Sequence, residues 1–320
     1  MTAQLPPTHR ALVQRVYAGP LQVETIPTPQ PTPGSAIVRV LAANVVSYMG
    51  NVYNGTRQYP YPTPLVTGTS AIGRIAAVGP DATSLTPGQL VFVDCVIRGR
   101  DDPSAIFLSG LTEGGSEGSR KLMRGEWRDS TYAEYAKAPL ENCVPLDEKR
   151  LTASPAEGGL GYDVPRLAYF AALLVPYGGL RDVNLQAGET IIIAPATGGF
   201  GGAAVLVALA MGARVIAMGR RLESLAKLKK FSNRVEVVQI TGNLEEEVAA
   251  LAKFGPADAY LDISPQEAAN TTHVKAGIMS LRHRGRVSLM GGFLGDVAIP
   301  HRVVMRKDIK LMVGPEILTL

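Results

Sequence analysis

Cysteine is almost missing from this chain, with Cys95 and Cys143 the only two among 320 residues. That usage fits a reducing compartment, and the expectation is a cytoplasmic protein held by its core rather than by disulfides. Histidine is scarce too, and His9, His273, His283 and His301 fall at no spacing that would bind a metal. Long hydrophobic runs are lacking. The longest, Ala168–Pro176 and Ala203–Met211, are far shorter than the ~20 residues a membrane span needs. The opening residues 1–7 show no basic stretch followed by an apolar one, so no secretory leader is expected. Nor is there a large excess of one charge: 32 Lys and Arg against 28 Asp and Glu leave a net +4. Arg282, Arg284 and Arg286 form a short basic run, which reads as a solvated helix end and turn rather than a nucleic-acid patch. Repeats and low-complexity tracts are absent.

What is present is a long, apolar, turn-rich chain. Hydrophobic residues make up 46%, which excludes a disordered protein, and 34 glycines with 23 prolines imply many turns. A chain of this length buries roughly three quarters of its unfolded surface and suits two domains of about 150 residues. The rhythm changes between the halves. Up to about Pro145, short β-branched runs such as Ala36–Val46, Ala71–Gly79 and Gln89–Val96 are bounded by Pro or Gly, as in a β-barrel-like domain. Pro27, Pro29, Pro31 and Pro33 forbid a helix there. Arg98–Gly125, with six glycines, reads as a long surface loop. After about Pro165, strands and helices alternate at βαβ spacing. The predicted strands are Thr190–Ala194, Arg214–Met218, Val235–Ile240, Ala259–Ile263, Arg286–Met290 and Ile309–Val313. Helices are expected at Gly202–Met211, Leu222–Lys230, Leu244–Lys253 and Gln266–Arg282. The fold class is α/β, with a Rossmann doubly wound parallel sheet in residues 171–320 and a β domain in residues 1–170.

The strand-to-helix turn Ala196-Thr197-Gly198-Gly199-Phe200-Gly201 is a dinucleotide fingerprint with Ala in the first glycine position. Ala196 makes the tight turn, Gly198 lets the backbone approach a pyrophosphate, and Gly201 lets the helix pack on the strand. The helix N-terminus then offers free N–H groups to the phosphates. At the end of the next strand, where an NAD site places a carboxylate, this chain has Gly219-Arg220-Arg221. Two guanidiniums there fit a 2′-phosphate, so NADP is the expected cofactor.

The whole chain, over roughly residues 10–314, resembles the medium-chain dehydrogenase/reductase superfamily, which joins a GroES-like β-barrel domain to a Rossmann domain. The motifs are PLVTGTSAIGRIAAVG (Pro64–Gly79), LTPGQLVFV (Leu85–Val93), WRDSTYAEYAKAPLENCVPLD (Trp127–Asp147) and the ATGGFG turn. Its wording is similar to fungal alcohol dehydrogenase-like members. The resemblance implies an active site in the cleft between the domains, and two departures shape the expected chemistry. Zinc-using members have a Cys after the second strand and a Gly-His-Glu turn; Val46 and Gly68-Thr69-Ser70 occupy those places, and neither Val nor Thr replaces thiolate or imidazole. The four-cysteine structural lobe also has no counterpart in Arg98–Gly125.

The resemblance therefore points to the zinc-independent, quinone oxidoreductase-like and enone reductase-like branch. There NADPH transfers hydride to an enone, quinone or carbonyl compound. Candidate hydroxyl donors are Tyr53 and Tyr59 in the Asn51–Pro62 loop, with Ser47, Tyr48 and Thr69 at or beside the lost zinc positions. By position, Pro176 and Tyr177 approach the nicotinamide, Gly291, Gly292 and Phe293 border its carboxamide, and Thr241 with Gly242 border adenine. Two other readings remain: a secondary alcohol/ketone dehydrogenase of the same fold, and a cofactor-binding relative without turnover. The resemblance implies a return segment after the sixth strand that completes the catalytic domain; the sequence stops at Leu320 before it, and the expectation is either a compact variant or a lost segment. The expected oligomer is a homodimer through the sheet edge, covering Leu311, Ile317 and Leu318.

Overall fold

The computed structural model describes residues 5–268 and 271–313. It divides into two compact units, Met1–Ala171 and Ala172–Leu320.

The first unit is built mainly of short antiparallel strands. In chain order it contains β1 (Thr8–Gln14), β2 (Leu21–Pro27), β3 (Ser35–Ala43), α1 (Met49–Tyr53), β4 (Leu65–Val66), β5 (Ala71–Val78), β6 (Leu90–Val93), β7 (Val96–Arg98), β8 (Ile106–Leu108), α2 (Glu117–Arg124), β9 (Tyr135–Pro139), β10 (Cys143–Pro145), α3 (Glu148–Thr152) and α4 (Val164–Leu167). A five-stranded sheet runs β10-β6-β5-β3-β9, a three-stranded one runs β2-β1-β4, and β7 pairs with β8. Strand β6 shows why the sheet is covered on both faces. Val91 and Val93 enter a core with Val38, Ile75 and Ala138, while the alternate residues Leu90 and Phe92 meet Leu167 of α4.

One expectation fails in this unit. Arg98–Gly125 is not a loose surface loop: Phe107, Leu111 and Met123 are fully or almost fully buried, and α2 and β8 lie within it. The helix is set by a capping box, in which Ser116 accepts from the Ser119 amide and Ser119 bonds back to Ser116. Glycine count pointed to a loop because these two serines carry no hydrophobic period.

The second unit opens on α5 (Phe170–Asp182) and continues β11 (Thr190–Ala194), α6 (Gly199–Ala210), β12 (Arg214–Gly219), α7 (Leu222–Lys229), β13 (Val235–Gln239), α8 (Leu244–Ala252), β14 (Ala257–Asp262), α9 (His273–Met279), β15 (Leu281–Leu289), α10 (His301–Lys307) and β16 (Lys310–Val313). Its six strands are parallel, in the order β13-β12-β11-β14-β15-β16. Alternation along β11 covers both faces. Ile191 and Ile193 pack with Ala204, Val205 and Ala208 of α6, whereas Ile192 and Ala194 pack with Leu251 of α8 and Val274 and Ile278 of α9. The strand order reverses between β11 and β14, and ligands of such sheets bind beyond the carboxyl ends of the strands at that point.

Two boundaries differ by five residues or more from the expected ones. Residues 266–268 form a 3-10 turn, and α9 starts only at His273. The Thr271 hydroxyl bonds the Ala268 carbonyl, a local side-chain contact that competes with helix. Strand β15 begins at Leu281, so the arginine run lies on a strand rather than at a helix end. Its charges are answered by acids: Arg282 bonds Asp258 at 2.5 Å, Arg286 bonds Glu189 at 2.6 Å, and Arg284 reaches Asp308 at 3.3 Å. At the edge, Leu311 is 38% and Val313 75% exposed, while Ile317 and Leu318 lie outside the described residues. No helix among the described residues is long and apolar enough to cross a membrane.

Candidate active site

The dinucleotide turn lies at the carboxyl end of β11. The Ala196 amide donates to the Met218 carbonyl at 2.7 Å, tying the turn to β12. Gly198 is the N-cap of α6 in an extended conformation, and no side chain caps it. The first-turn amides of a helix have no internal partners, so an anion can take them. Glycine is required at 201 by contact: a Cβ there would stand 2.0 Å from the Pro195 carbonyl oxygen and 2.9 Å from Ala196 Cα. At Gly198 and Gly199 a Cβ would meet nothing within 4 Å, which leaves open space above the turn. This is a cradle of the kind a pyrophosphate fills, so the residues present fit a dinucleotide.

Gly219 closes β12 beside that cradle. A Cβ at this position would press on Thr197 at 3.0 Å and Leu225 at 3.1 Å. Arg220 and Arg221 follow, both exposed, and Arg221 is the N-cap of α7. Among the described residues neither guanidinium has a hydrogen-bond or ion-pair partner. The backbone under them is fixed, because Gln239 Nε2 donates to the Arg220 carbonyl and the Ile240 amide to that of Gly219.

The remaining expected cofactor residues are placed as follows. Thr241 is exposed, but its amide and that of Gly242 donate to Glu247 Oε1, at 3.0 and 2.9 Å. The Gly292 amide donates to the Ser264 carbonyl. Gly291 and Phe293 are half-buried, and a Cβ on Gly291 would stand 2.0 Å from Asp262 Oδ2. Pro176 is buried inside α5, and Tyr177 is exposed. One turn on, Gly179 lets α5 pass Met290, whose sulfur would lie 2.1 Å from a Cβ there.

The first unit holds the five candidate hydroxyls, and they differ in availability. Tyr53 is buried; its Oη donates to the Gly110 carbonyl at 2.8 Å and accepts from the Gly68 amide at 2.9 Å. Burial pushes this phenol well above its ordinary range. Thr69 Oγ1 donates to the Asn44 carbonyl at 2.9 Å, and Tyr132 Oη donates to that same carbonyl at 2.8 Å. Tyr53 and Thr69 are thus engaged by the backbone. Ser47 is exposed, and Tyr59 is buried with its Oη 3.5 Å from Arg57 Nη1.

The residue types alone did not single out Arg57, Cys95 or Tyr132. The Arg57 guanidinium lies 4.1 Å from the centroid of the Tyr48 ring, a cation–π contact. Burial, then Tyr59, pushes the Tyr48 phenol up, and Arg57 opposes this. Cys95 is pushed up to about 12 by burial and then by Asp94, which makes it an inert thiol. Only the run of tyrosines after β3 could have signalled this group. Val46 is half-buried, and no group of three or more His, Cys, Asp or Glu among the described residues is placed to hold a metal ion.

Comparison with known proteins accords with this geometry. Residues 32–148 match the alcohol dehydrogenase GroES-like domain, and residues 199–314 match the zinc-binding dehydrogenase domain. The chain is 29% identical over 265 residues to alcohol dehydrogenase notN of Aspergillus sp., an alignment covering 82% of this chain and 72% of that protein. It is also 29% identical over 239 residues to acryloyl-coenzyme A reductase of Metallosphaera sedula, covering 71% and 64%. Two solved structures share the fold at 17% identity. One is a zinc-binding dehydrogenase from Sinorhizobium meliloti bound to NADP, with a TM-score of 0.74 over 98% of this chain and 86% of that one. The other is an alcohol dehydrogenase from E. coli complexed with NADH, with a TM-score of 0.73 over 97% and 84%.

A GroES-like unit followed by a Rossmann unit with a dinucleotide turn defines the two-domain dehydrogenase class of oxidoreductases. This chain belongs to the medium-chain dehydrogenase/reductase superfamily.

Proposed function

We propose that this protein is a zinc-independent, NADPH-dependent reductase of small enones, quinones or carbonyl compounds. The observation that carries the reading is the pair of guanidiniums, Arg220 and Arg221, without a partner among the described residues and beside a glycine turn that no side chain caps. When bound, the dihydronicotinamide supplies the hydride. The turn at Ala196–Gly201 holds the pyrophosphate, and the two arginines hold the 2′-phosphate. A metal site does not fit the residues at hand. Val46 has no donor atom, and Thr69 Oγ1 already serves the Asn44 carbonyl. Carbonyl polarisation then falls to hydroxyl donors. Tyr59 is the best placed of the candidates, because a phenol that accepts from Arg57 keeps its own proton to give.

The relative that acts on acryloyl-coenzyme A favours reduction of a conjugated C=C, and the relative called an alcohol dehydrogenase favours the ketone/alcohol couple. NADPH oxidation by the full chain in EDTA, against enones, quinones, ketones and aldehydes with product identification, separates them. Turnover is expected to survive the chelator. Turnover abolished by EDTA and restored by zinc would overturn zinc independence, and NADPH binding without turnover across the panel would favour the non-catalytic relative.

Two tyrosines should part company. Tyr53→Phe leaves a buried amide and a buried carbonyl without a partner, so it is expected to lower unfolding stability by about 2 kcal/mol while sparing turnover. Tyr59→Phe is expected to lower kcat by ~10²-fold with little loss of stability. Denaturant melts and steady-state rates on both variants check this pair. Equal kcat for Tyr59→Phe and the unmutated protein would remove Tyr59 as donor.

A further inference from the structure

Beneath the dinucleotide turn lies a group of buried polar side chains that the reading above does not use. Asp262 is the last residue of β14, and its register partner is Ala194, the last residue of β11, so it stands at the point where the strand order reverses. Ser264 Oγ donates to Asp262 Oδ1 at 2.6 Å and lies 2.7 Å from His273 Nε2. The imidazole nitrogen is itself 3.5 Å from Asp262 Oδ1. Next in the chain to His273, Thr272 donates its hydroxyl to Glu247 Oε1 at 2.7 Å. That oxygen also receives the Thr241 and Gly242 amides. Asp262, Ser264, His273 and Glu247 are all almost wholly buried.

A leucine or methionine would fill these volumes without burying ionisable groups, and burying them is unfavourable unless the arrangement does something else. What it does is tie loops. The Asp262 carbonyl accepts from the Met290 amide, the Ser264 carbonyl from the Gly292 amide, and the Ile263 amide donates to the Ala194 carbonyl. The Asp262 Oδ2 oxygen lies against Gly291, where a Cβ would stand 2.0 Å away, and has no hydrogen-bond partner among the described residues. Tyr260 is buried nearby, and its Oη has no hydrogen-bond partner among the described residues. Burial, then Asp262 and Glu247, hold its phenol well above the ordinary value.

We propose that Glu247 and the Asp262–Ser264–His273 cluster are positioning residues. They form one buried polar chain that holds the loops after β13, β14 and β15 in the arrangement that receives the dinucleotide. The inference rests on the cofactor reading above for its consequence, and on the hydrogen bonds alone for its structural half. All four side chains are almost wholly buried and are assigned no direct contact with the cofactor. They act through Gly242, Ile263 and Gly291–Gly292.

The test uses the full-length chain as Glu247→Ala, Glu247→Gln and Ser264→Ala. Two readouts are compared: hydrogen exchange of the backbone without ligand, and the Kd for NADPH from its fluorescence. Glu247→Ala removes the acceptor of three hydrogen bonds. It is expected to speed exchange at Gly242 at least tenfold and to raise the NADPH Kd about tenfold. Glu247→Gln keeps that acceptor oxygen and is expected to stay within about twofold on both. Ser264→Ala is expected to speed exchange at Gly292 and to weaken NADPH. If the unmutated chain binds neither NADPH nor NADH, the cofactor reading falls, and exchange at Gly242 and Gly292 still decides the structural half. If it binds NADPH and the variants bind equally well, the positioning role is overturned. A uniform rise in exchange across β11, β12 and β14, or a Glu247→Gln variant as impaired as Glu247→Ala, would overturn it too, because either marks a purely structural residue.

Discussion

Arg220→Asp is expected to reverse the preference between the two nicotinamide cofactors, weakening NADPH by at least ~10²-fold and strengthening NADH. The magnitude follows from two contributions. A guanidinium–phosphate hydrogen bond is worth about 1.5–3 kcal/mol, or roughly 10- to 150-fold in affinity. The new carboxylate would also repel the 2′-phosphate, while offering the ribose 2′-hydroxyl of NADH the acceptor that NAD sites use. The substitution should not disturb the fold. Arg220 is exposed, and its place is set by its own carbonyl, which accepts from Gln239. Kd values for both cofactors at low and moderate salt provide the check. Because the guanidinium is exposed, the NADPH preference should shrink as salt rises. Equal affinities for NADPH and NADH in the unmutated protein would remove the arginine clamp.

Arg220 and Arg221 were readable from sequence because they follow a strand whose apolar period is unmistakable. Strand β12, as Arg214–Gly219, ends one residue beyond the expected Arg214–Met218. The same held for most of the second unit, where fully buried parallel strands read as continuous apolar runs. Legibility fell where polar side chains decide the backbone. The Ser116–Ser119 capping box turned an expected loop into helix α2, and the Thr271 hydroxyl helped to delay α9 to His273. The site divides along the same line. The glycine turn was legible because Gly201 is demanded by backbone contact. The roles of Tyr53 and Thr69 were not, since nothing in their spacing shows that Gly110 and Asn44 take their hydroxyls. Glu247 and Asp262 were invisible for a like reason: an acid on a helix or at a strand end reads as solvated, and only the folded chain puts it under three loops.

Gly201→Ala is the most damaging single methyl this structure can receive near the turn. The added carbon would stand 2.0 Å from the Pro195 carbonyl oxygen, and neither that oxygen nor Ala196 Cα, 2.9 Å away, is the end of a side chain that could rotate aside. Helix α6 must therefore move off the turn. The movement carries the amides of Gly199 and Phe200 away from where a pyrophosphate would sit, and it opens the contact of Ala204 and Val205 with Ile191 and Ile193. Overpacking of this kind costs about 1–3 kcal/mol in stability. Cofactor affinity should suffer more, because several phosphate contacts shift together, and a loss of at least ~10²-fold is expected. Gly202→Ala is the matched control. Its Cβ would meet only the Ala196 carbonyl oxygen at 3.9 Å, so the same methyl one residue later should raise helix stability by about 0.5–1 kcal/mol and leave binding intact. Thermal melts and NADPH titrations of the two variants side by side separate contact from composition. Equal binding by Gly201→Ala and Gly202→Ala would mean that the turn does not hold the pyrophosphate, and the placement of the cofactor on α6 would fall with it.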